Sequence, residues 1–317
     1  MGYLPGSGGW AYDRRVEHYV LRGGQWGYDR LKLLARIKRD DTLELFRRAG
    51  VRPGMRCLDL GCGGGEGTSD LAVAAGPEGS VTGVDMDSEK LALARTSARE
   101  RGIGNVGFRA GNVNEWDEPD AYDFVYCRFL LQHLARPVDL LRRMWAAVRA
   151  GGVVAVEDAD FDGLFCDPAS AGFDFYRTMY PEVCRRNGGD PTIGRKLYRH
   201  FGQAGITDAE FRLVQGVAVT EDRKAIAVLT LEACAEAITG AGLASADEVA
   251  AALADLRAFA ATPGTLAGDP RTFQVWAWRP RDPLPDFPGV VARQQGAQVT
   301  RTAAGLGRGD LVGISRS

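Results

Sequence analysis

An acid followed by a run of glycines is the first feature of the sequence that could do chemistry. Asp59 lies in a short apolar run, and Gly61, Gly63 and Gly65 follow it at intervals of two. The apolar run predicts a β-strand, and residues 68–75 predict the first turns of a helix. A strand, a tight glycine turn and a helix together bring backbone amides close to a nucleotide-sized ligand.

The spacing of these glycines argues against a dinucleotide. A G-x-G-x-x-G fingerprint that starts at Gly61 would need its third glycine at Glu66, and one that starts at Gly63 would need it at Thr68. Asp59 would also repel a pyrophosphate, whereas it suits a ligand that carries positive charge. S-adenosylmethionine (SAM) has an ammonium and a sulfonium and no phosphate, so it fits this turn better.

Groups for the rest of such a ligand follow along the chain. Residues 80–84 form a β-rich run that ends at Asp85, and an acid at this point can accept both ribose hydroxyls. Residues 105–109 predict a third strand, and Asn112 comes shortly after it. The amide oxygen of Asn112 can accept a hydrogen bond from the adenine amino group.

The order of these features resembles the class I SAM-dependent methyltransferases. Residues 121–127 resemble the fourth strand of that family, and residues 150–156, with two glycines before an apolar run, resemble the start of its fifth strand. The resemblance covers residues 45–158 and extends to the broad group of ubiquinone and menaquinone C-methyltransferases and natural-product methyltransferases. The chain departs from the family at Asn112, where an acid is usual.

The resemblance implies an α/β fold with a doubly wound, seven-stranded sheet in the order 3-2-1-4-5-7-6, in which strand seven is antiparallel. It implies SAM as cofactor and S-adenosylhomocysteine (SAH) as its product. The expected cofactor-binding residues are Tyr19, Arg30, Asp59, Gly61, Cys62, Gly63, Gly65, Asp85, Met86, Asn112, Val113 and Arg128. Aromatic residues of the N-terminal segment have an alternative role, which is to pack helices against the sheet.

His133 is the first candidate for a catalytic group. Methyl transfer from a sulfonium is an in-line displacement, and an acceptor hydroxyl or acidic C–H benefits from a general base. His133 follows the fourth strand, at the edge that faces the sulfonium in related folds, and we expect it to titrate near neutrality. The alternative is that His133 caps a helix or fixes the loop.

Glu157 is the second candidate for a catalytic group. It follows the fifth strand together with Asp158 and Asp160, and it could act as a base or bind a cationic or hydroxylated acceptor. The alternative is an ion pair between Glu157 and Arg177 or Arg185. No further ligand accompanies the three acids, so we predict no metal site.

A basic cluster follows in the sequence, and we interpret it as a solvated helix face. If it turned inward, it would suit an anionic acceptor. Its members are Arg185, Arg186, Arg195, Lys196 and Arg199.

The composition indicates a globular protein, with 45% hydrophobic and 25% charged residues and a formal net charge of −2. The near-zero charge argues against a nucleic acid as the main partner, because proteins that bind one usually carry a basic face. Six cysteines without a C-x-x-C pair predict buried thiols in a reducing compartment. Without a signal peptide or a long apolar run, the sequence predicts a cytoplasmic protein. A homodimer is compatible with it.

The chain divides into four predicted segments. They are an N-terminal helical lid (1–49), a SAM-binding core (50–158), a substrate-side region (159–279) and a disordered tail (280–317). Within them we expect N-terminal helices at 11–21 and 26–48, a strand-free insertion at 158–192, a helix at 193–204, a helical pair at 222–239 and 246–261, and the last strands at 209–219 and 271–278.

These features together predict an enzyme that moves a methyl group from SAM to an O, N or C atom of a small molecule in secondary or quinone-type metabolism. Two alternatives remain. One is a SAM-binding protein of the same fold that does not methylate or uses SAM for another reaction. The other is a nicotinamide oxidoreductase, which the register of the glycines already weakens.

Overall fold

The computed structural model describes the backbone of residues 24–281 and the side chains of residues 27–281. The α-helices in this range are α1 (Gly24–Arg48), α2 (Glu66–Ala75), α3 (Ser88–Glu100), α4 (Pro137–Ala147), α5 (Ala171–Arg186), α6 (Leu197–Gln203), α7 (Glu221–Gly240) and α8 (Ala246–Ala261). The strands are β1 (Arg56–Leu60), β2 (Ser80–Asp85), β3 (Val106–Ala110), β4 (Tyr122–Arg128), β5 (Val148–Asp160), β6 (Phe165–Asp167), β7 (Glu210–Val214), β8 (Val217–Ala218), β9 (Leu266–Gly268) and β10 (Arg271–Trp278). The predictions for Tyr19, for a helix at 11–21 and for the tail after residue 281 lie outside the described residues.

Seven strands form the main sheet, in the order β3-β2-β1-β4-β5-β10-β7. Strands β1 to β5 pair in parallel, and β10 runs antiparallel between β5 and β7. The predicted order, with the last strand inserted antiparallel beside the fifth, is confirmed. Strand order reverses between β1 and β4, and open α/β sheets bind ligands at the carboxyl edge of such a point.

Alternating side chains of β4 build a core on each face of this sheet. Phe124 and Tyr126 point to one face, where the ring of Phe46 from α1 packs edge-on at centroid distances of 5.7 and 5.1 Å. Val125 and Cys127 point to the other face and join the core that α4 and α6 cover. Because both faces are covered, polar residues of the central strands collect at the strand ends.

The chain after β5 forms a second layer, and its structure shows that one prediction was wrong. The segment 158–192 is not strand-free, because β5 continues to Asp160 and β6 pairs with β9 in a three-stranded sheet ordered β6-β9-β8. The strand predicted at 209–219 is split into β7 and β8 at Gln215, whose side-chain amide donates to the carbonyl oxygens of Gly163 and Asp269. Helices α5, α7 and α8 pack together beside this small sheet.

Helix α1 connects the two layers. It begins at Gly24, packs against α2 and α7, and receives a hydrogen bond from the Gln274 amide at the carbonyl of Asp41. One face of α1 is therefore held between the glycine turn and α7. Within residues 24–281, none of the helices is long and apolar enough to cross a membrane.

Candidate functional site

The glycine turn after β1 requires glycine for two independent reasons. Gly61, Gly63 and Gly65 have φ angles of +71°, +51° and +76°, in the left-handed region. In addition, a Cβ atom at Gly65 would lie 2.7 Å from the Cβ of Ala94, and one at Gly61 would lie 2.8 Å from Leu130 Cδ1. The turn therefore presents bare backbone to its surroundings, and α2 starts directly behind it.

Asp59 lies beneath this turn with only 3% of its surface exposed. Its Oδ2 accepts a hydrogen bond of 2.7 Å from the Thr68 hydroxyl at the start of α2. Burial raises the pKa of Asp59 to about 7, although this hydrogen bond and the charge of Arg128 oppose the shift. A cationic ligand group beside Asp59 would stabilise its ionised form.

Asp85 turns its carboxylate towards the glycine turn. Its Oδ2 accepts from the backbone N–H of Gly63 at 2.8 Å, and its Oδ1 accepts from the N–H of Asp87 at 3.0 Å. Each oxygen keeps a second lone pair, so the carboxylate can still receive hydroxyl donors. The bond to Gly63 ties the end of β2 to the glycine turn, and the bond to Asp87 fixes the carboxylate locally.

The remaining residues predicted for the adenine lie at the ends of β2 and β3. Met86 is 59% exposed, whereas Val113 is buried. The Asn112 side chain accepts from the N–H of Asn114 at 3.0 Å and donates to Glu115 at 3.1 Å. Its amide oxygen therefore has one lone pair left for a ligand.

A deep cavity starts at the glycine turn and continues under α1, α5 and α7. Its lining unites seven of the predicted site residues, which are Arg30, Asp59, Gly61, Cys62, Gly63, Arg128 and His133. The predicted residues that do not line it are Gly65, Asp85, Met86, Asn112, Val113 and Glu157. The lining also includes Phe161, Tyr176 and Tyr180, which belong to the segment predicted as an insertion at 158–192. The lining that sequence reasoning did not single out includes Lys38, Tyr126, Phe129, Thr230, Asp269 and Thr272.

Arg30 brings a buried positive charge into this cavity. The residue is 5% exposed, and its Nε has no hydrogen-bond partner within the described part of the chain. A guanidinium buried in this way is costly unless an anion pairs with it. An anionic ligand group near Arg30 would supply that partner.

His133 lines the cavity, but its expected titration near neutrality is wrong. Burial lowers the pKa of His133 to about 3, and the charges of Arg30 and Lys90 lower it further in the same direction. The imidazole is therefore neutral at physiological pH. A neutral imidazole can accept a hydrogen bond from an acceptor group but holds a proton only weakly.

Glu157 lies below the cavity in a closed hydrogen-bond network. Its Oε1 accepts from the hydroxyls of Thr42, at 2.8 Å, and Tyr126, and its Oε2 accepts from the Gln274 amide at 2.6 Å. The hydroxyl of Thr42 in turn accepts from Arg128 at 2.9 Å. Glu157 therefore contacts side chains of α1, β4 and β10 and does not itself line the cavity.

The alternative partners considered for Glu157 are wrong, because both arginines pair with acids of their own helix. Arg177 pairs with Asp174 at 2.7 Å, and Arg185 lies 3.6 Å from Glu182. Both pairs join positions three residues apart on α5. The lid therefore does not supply a counter-charge to Glu157.

The two acids after Glu157 serve different partners. Asp158 accepts from the backbone N–H groups of Ala159 and Gln132, and burial raises its pKa to about 7. Asp160 is fully buried and pairs with Arg195, whose Nε lies 2.8 Å away. Within residues 24–281, no group of three or more His, Cys, Asp or Glu side chains is arranged to hold a metal ion.

A buried ion pair is the main functional feature that sequence reasoning missed. Lys38 Nζ lies 2.8 Å from Asp269 Oδ2, with side chains only 6% and 7% exposed, and both residues line the cavity. They are 231 positions apart in the chain. The only local signal was the position of Lys38, two helical turns after Arg30 on the same face of α1.

Aromatic side chains form the wall of the cavity beyond this ion pair. The rings of Phe161 and Tyr180 are 4.4 Å apart between centroids, and Tyr176 lies 6.3 Å from Tyr180. Phe129 joins them with a left-handed backbone (φ +52°) that is unusual for a bulky residue. We refer to Phe129, Phe161, Tyr176 and Tyr180 as the aromatic chamber.

The sheet order, the glycine turn and the acids that end β1 and β2 define a Rossmann-like fold of the class I methyltransferase type. Residues 52–200 match the family model described as a methyltransferase domain. This segment is therefore similar to the methyltransferase-domain family, and SAM is the cofactor of class I methyltransferases. Asp59, the glycine cradle and the buried Arg30 fit a ligand that carries both positive charge and a carboxylate.

The curated relatives that the chain matches include bacterial proteins named demethylmenaquinone methyltransferase. The chain is 30% identical over 151 residues to demethylmenaquinone methyltransferase of Geobacillus kaustophilus, which covers 47% of this chain and 64% of that protein. It is 32% identical over 147 residues to the enzyme of the same name from Listeria welshimeri, covering 44% and 61%. The match therefore spans less than two thirds of the length of these relatives.

Solved structures agree on the fold. The YcgJ protein of Bacillus subtilis aligns with a TM-score of 0.51 at 16% identity, over 77% of this chain and 100% of that one. Phosphoethanolamine N-methyltransferase 2 of Haemonchus contortus, in complex with phosphomonomethylethanolamine and S-adenosylhomocysteine, aligns with a TM-score of 0.51 at 18% identity, over 80% and 57%. At these identities the likeness concerns the fold alone.

Proposed function

We propose that the protein transfers a methyl group from SAM to an O, N or C atom of a small-molecule acceptor, in secondary or quinone-type metabolism. The observation that carries the proposal is one cavity whose lining holds both the glycine turn with Asp59 and the aromatic chamber. The lining also includes Lys38, Thr230 and Asp269, which lie outside the matched residues 52–200. Part of the acceptor side of the cavity is therefore built by residues that the matched segment does not contain.

In this proposal each predicted residue has a role in holding the cofactor. Asp59 accepts the ammonium group, Arg30 binds the carboxylate, and Asp85 accepts the ribose hydroxyls. The adenine ring lies between Met86 and Val113, and the amide oxygen of Asn112 accepts a hydrogen bond from its amino group. The remaining described members of the set form the surrounding backbone and wall, and they are Gly61, Cys62, Gly63, Gly65 and Arg128; a cofactor contact of Tyr19 stays a prediction from the sequence.

Bound SAM supplies an electrophilic methyl group, and the chain supplies alignment and a water-poor surrounding. We propose that His133 contacts the acceptor directly, as a neutral hydrogen-bond acceptor that lines the cavity. Glu157 acts as a positioning residue, because it reaches the cavity only through Tyr126, which is part of the lining, and through Thr42, which binds Arg128.

Calorimetric titration with SAM, SAH and NADH tests the cofactor half of the proposal. We expect micromolar binding of SAM and SAH and none of NADH. Absence of SAM binding would contradict the proposal, and NADH binding would revive the oxidoreductase alternative. Conversion of SAM to SAH with a panel of acceptors then separates a methyltransferase from a SAM-binding protein that does not methylate.

The proposal also includes the location of the protein, its oligomeric state and its lack of a nucleic-acid partner. A cytoplasmic location, a homodimer and the absence of a nucleic-acid partner remain predictions from the sequence. Sedimentation of the purified protein, with and without duplex DNA, measures the last two directly.

A further inference from the structure

The buried ion pair of Lys38 and Asp269 lies in the wall of the cavity, and packing of the fold alone does not explain this position. Both side chains are more than nine-tenths buried, and their charged atoms lie 2.8 Å apart. Burying two charges costs several kcal/mol in desolvation, which their attraction offsets only with good geometry and further hydrogen bonds. A pair kept at a cavity wall points to a ligand that completes these hydrogen bonds.

Thr272 adds a third polar group at the same place. It is 1% exposed, it lines the cavity, and its hydroxyl has no hydrogen-bond partner among the residues that the structure describes. A buried hydroxyl without a partner is destabilising, so a native structure that keeps one usually has a use for it. Thr272 follows Asp269 by three residues.

These groups form the upper of two polar layers between α1 and β10. In the lower layer, Thr42 of α1 and Gln274 of β10 both donate to Glu157, and the network is closed. Lys38 lies one helical turn before Thr42, and Thr272 lies two residues before Gln274 on the same face of β10. The same two elements therefore repeat a polar layer one step closer to the carboxyl edge of the sheet, where the cavity opens.

The charges of the upper layer select the chemistry of the ligand. Lys38 and Asp269 neutralise each other, so a carboxylate would be repelled by Asp269 and an ammonium by Lys38. A hydroxyl group is both donor and acceptor, and it can donate to the Asp269 carboxylate while it accepts from Lys38 or Thr272. The layer is thus complementary to a neutral hydroxyl.

The aromatic chamber next to this layer selects the rest of the ligand. The rings of Phe161, Tyr176 and Tyr180 pack against one another at centroid distances of 4.4 and 6.3 Å and line the cavity, so they form an aromatic wall against which a further ring can pack. We propose that Lys38, Asp269 and Thr272 bind the hydroxyl of a hydroxylated aromatic acceptor whose ring lies in the aromatic chamber. This inference rests on the proposed function, because the aromatic ligand is a methyl acceptor only if the protein is a methyltransferase. Binding of the hydroxyl at Lys38, Asp269 and Thr272 does not itself require SAM.

Paired ligands that differ by one hydroxyl test the site. We would measure binding of 1-naphthol, 2-naphthol and naphthalene by calorimetry, with saturating SAH and again without it. We expect at least one naphthol to bind about tenfold more tightly than naphthalene, because its hydroxyl pairs with charged groups. Equal binding of all three, or binding of none, would overturn the hydroxyl site.

Two variants locate the effect. The double variant Lys38→Met/Asp269→Leu removes both charges, so neither is left buried alone, and such replacements commonly fold well. Thr272→Val removes the hydroxyl that has no partner and keeps the shape of the side chain. We expect the preference for naphthol to fall below about threefold in the double variant and to fall by less in Thr272→Val, with the SAH affinity unchanged in both.

Matched controls separate this result from a general disturbance. Arg257→Met/Glu232→Leu removes an ion pair between α7 and α8, and Thr239→Val removes a hydroxyl that already bonds within α7. None of these control residues lines the cavity, so the preference for naphthol should survive. A preference that persists in Lys38→Met/Asp269→Leu would overturn the inference, whereas failure of SAH to bind the wild type would contradict only the proposed function.

Discussion

The glycine turn and the aromatic chamber line the same cavity, yet the chain encodes the two sides of that cavity differently. At the turn, Asp59 and its partner Thr68 are nine positions apart, with the glycines between them. In the upper polar layer beside the chamber, Lys38 and Asp269 are 231 positions apart. The first site is a local backbone device, and the second exists only after α1 and the residues just before β10 have come together.

The glycine turn and the aromatic chamber are also stabilised by different interactions. The turn depends on backbone conformations that only glycine adopts without strain, whereas the chamber depends on contacts between side chains. Changes at the turn should therefore alter SAM affinity and leave acceptor binding to the empty chamber intact. Changes at the chamber should do the opposite. The variants below break or sharpen this contrast.

Gly65→Ala should have the largest effect. An alanine there would need a left-handed backbone at φ +76° and would place its Cβ 2.7 Å from atoms of Ala94 and Phe108. Strain and overpacking together cost about 2–4 kcal/mol, so we expect SAM affinity to fall about 100-fold or more in calorimetry. Gly104→Ala is the control, because a Cβ at Gly104 meets nothing within 4 Å and φ there is not in the left-handed region. Equal SAM affinity in both variants would remove the turn from the cofactor site.

Asp85→Ala should weaken SAM binding by about tenfold or more. Two hydroxyl bonds to a charged acceptor are lost, and so is the bond that holds Gly63 N–H at 2.8 Å. Asp85→Asn separates these contributions, because an asparagine retains one acceptor oxygen. Affinity near that of the wild type in the alanine variant would mean that the ribose lies elsewhere.

The same contrast explains what the sequence could and could not predict. The glycine turn follows from a local pattern of residues close together in the chain, and the order of the seven strands follows from the family resemblance that such local motifs carry. The partners of Glu157 do not, because Thr42 and Gln274 lie 115 and 117 positions away. The depressed pKa of His133 was equally hidden, since it arises from burial under helices that are remote in sequence.

His133→Ala and Glu157→Gln should change turnover and leave SAM affinity nearly unchanged. Once an acceptor is found, we expect kcat to fall about tenfold in each. For His133→Ala the loss should be largest for acceptors that carry a hydroxyl, because the neutral imidazole can accept only from a donor. For Glu157→Gln the loss should be similar for all acceptors, because Glu157 positions Tyr126 and Thr42 rather than touching the acceptor. Normal turnover in both variants would leave alignment alone as the source of catalysis.

The ionisation of Asp59 should make stability depend on pH, and the sign of this dependence is fixed by burial. The pKa of Asp59 is raised from 3.8 to about 7, so its contribution to stability is present at pH 4 and is lost as the pH rises through 7. Asp59→Asn removes this loss and keeps an acceptor for the Thr68 hydroxyl. We expect urea unfolding at pH 8 to show a gain on the order of 2 kcal/mol over the wild type, and no gain at pH 4.

The ionisation of Asp59 should change the affinity for SAM and leave the affinity for a ligand in the aromatic chamber unchanged. SAM binding requires ionised Asp59, so wild-type affinity should rise about tenfold between pH 6 and pH 8, and naphthol affinity should stay level. Asp158 is the competing source of such a change, because burial also raises its pKa to about 7. If Asp59→Asn keeps the wild-type pH dependence of unfolding and Asp158→Asn removes it, the titrating group is Asp158. A pH dependence that moves naphthol binding together with SAM binding would show that the two ends of the cavity are electrostatically coupled.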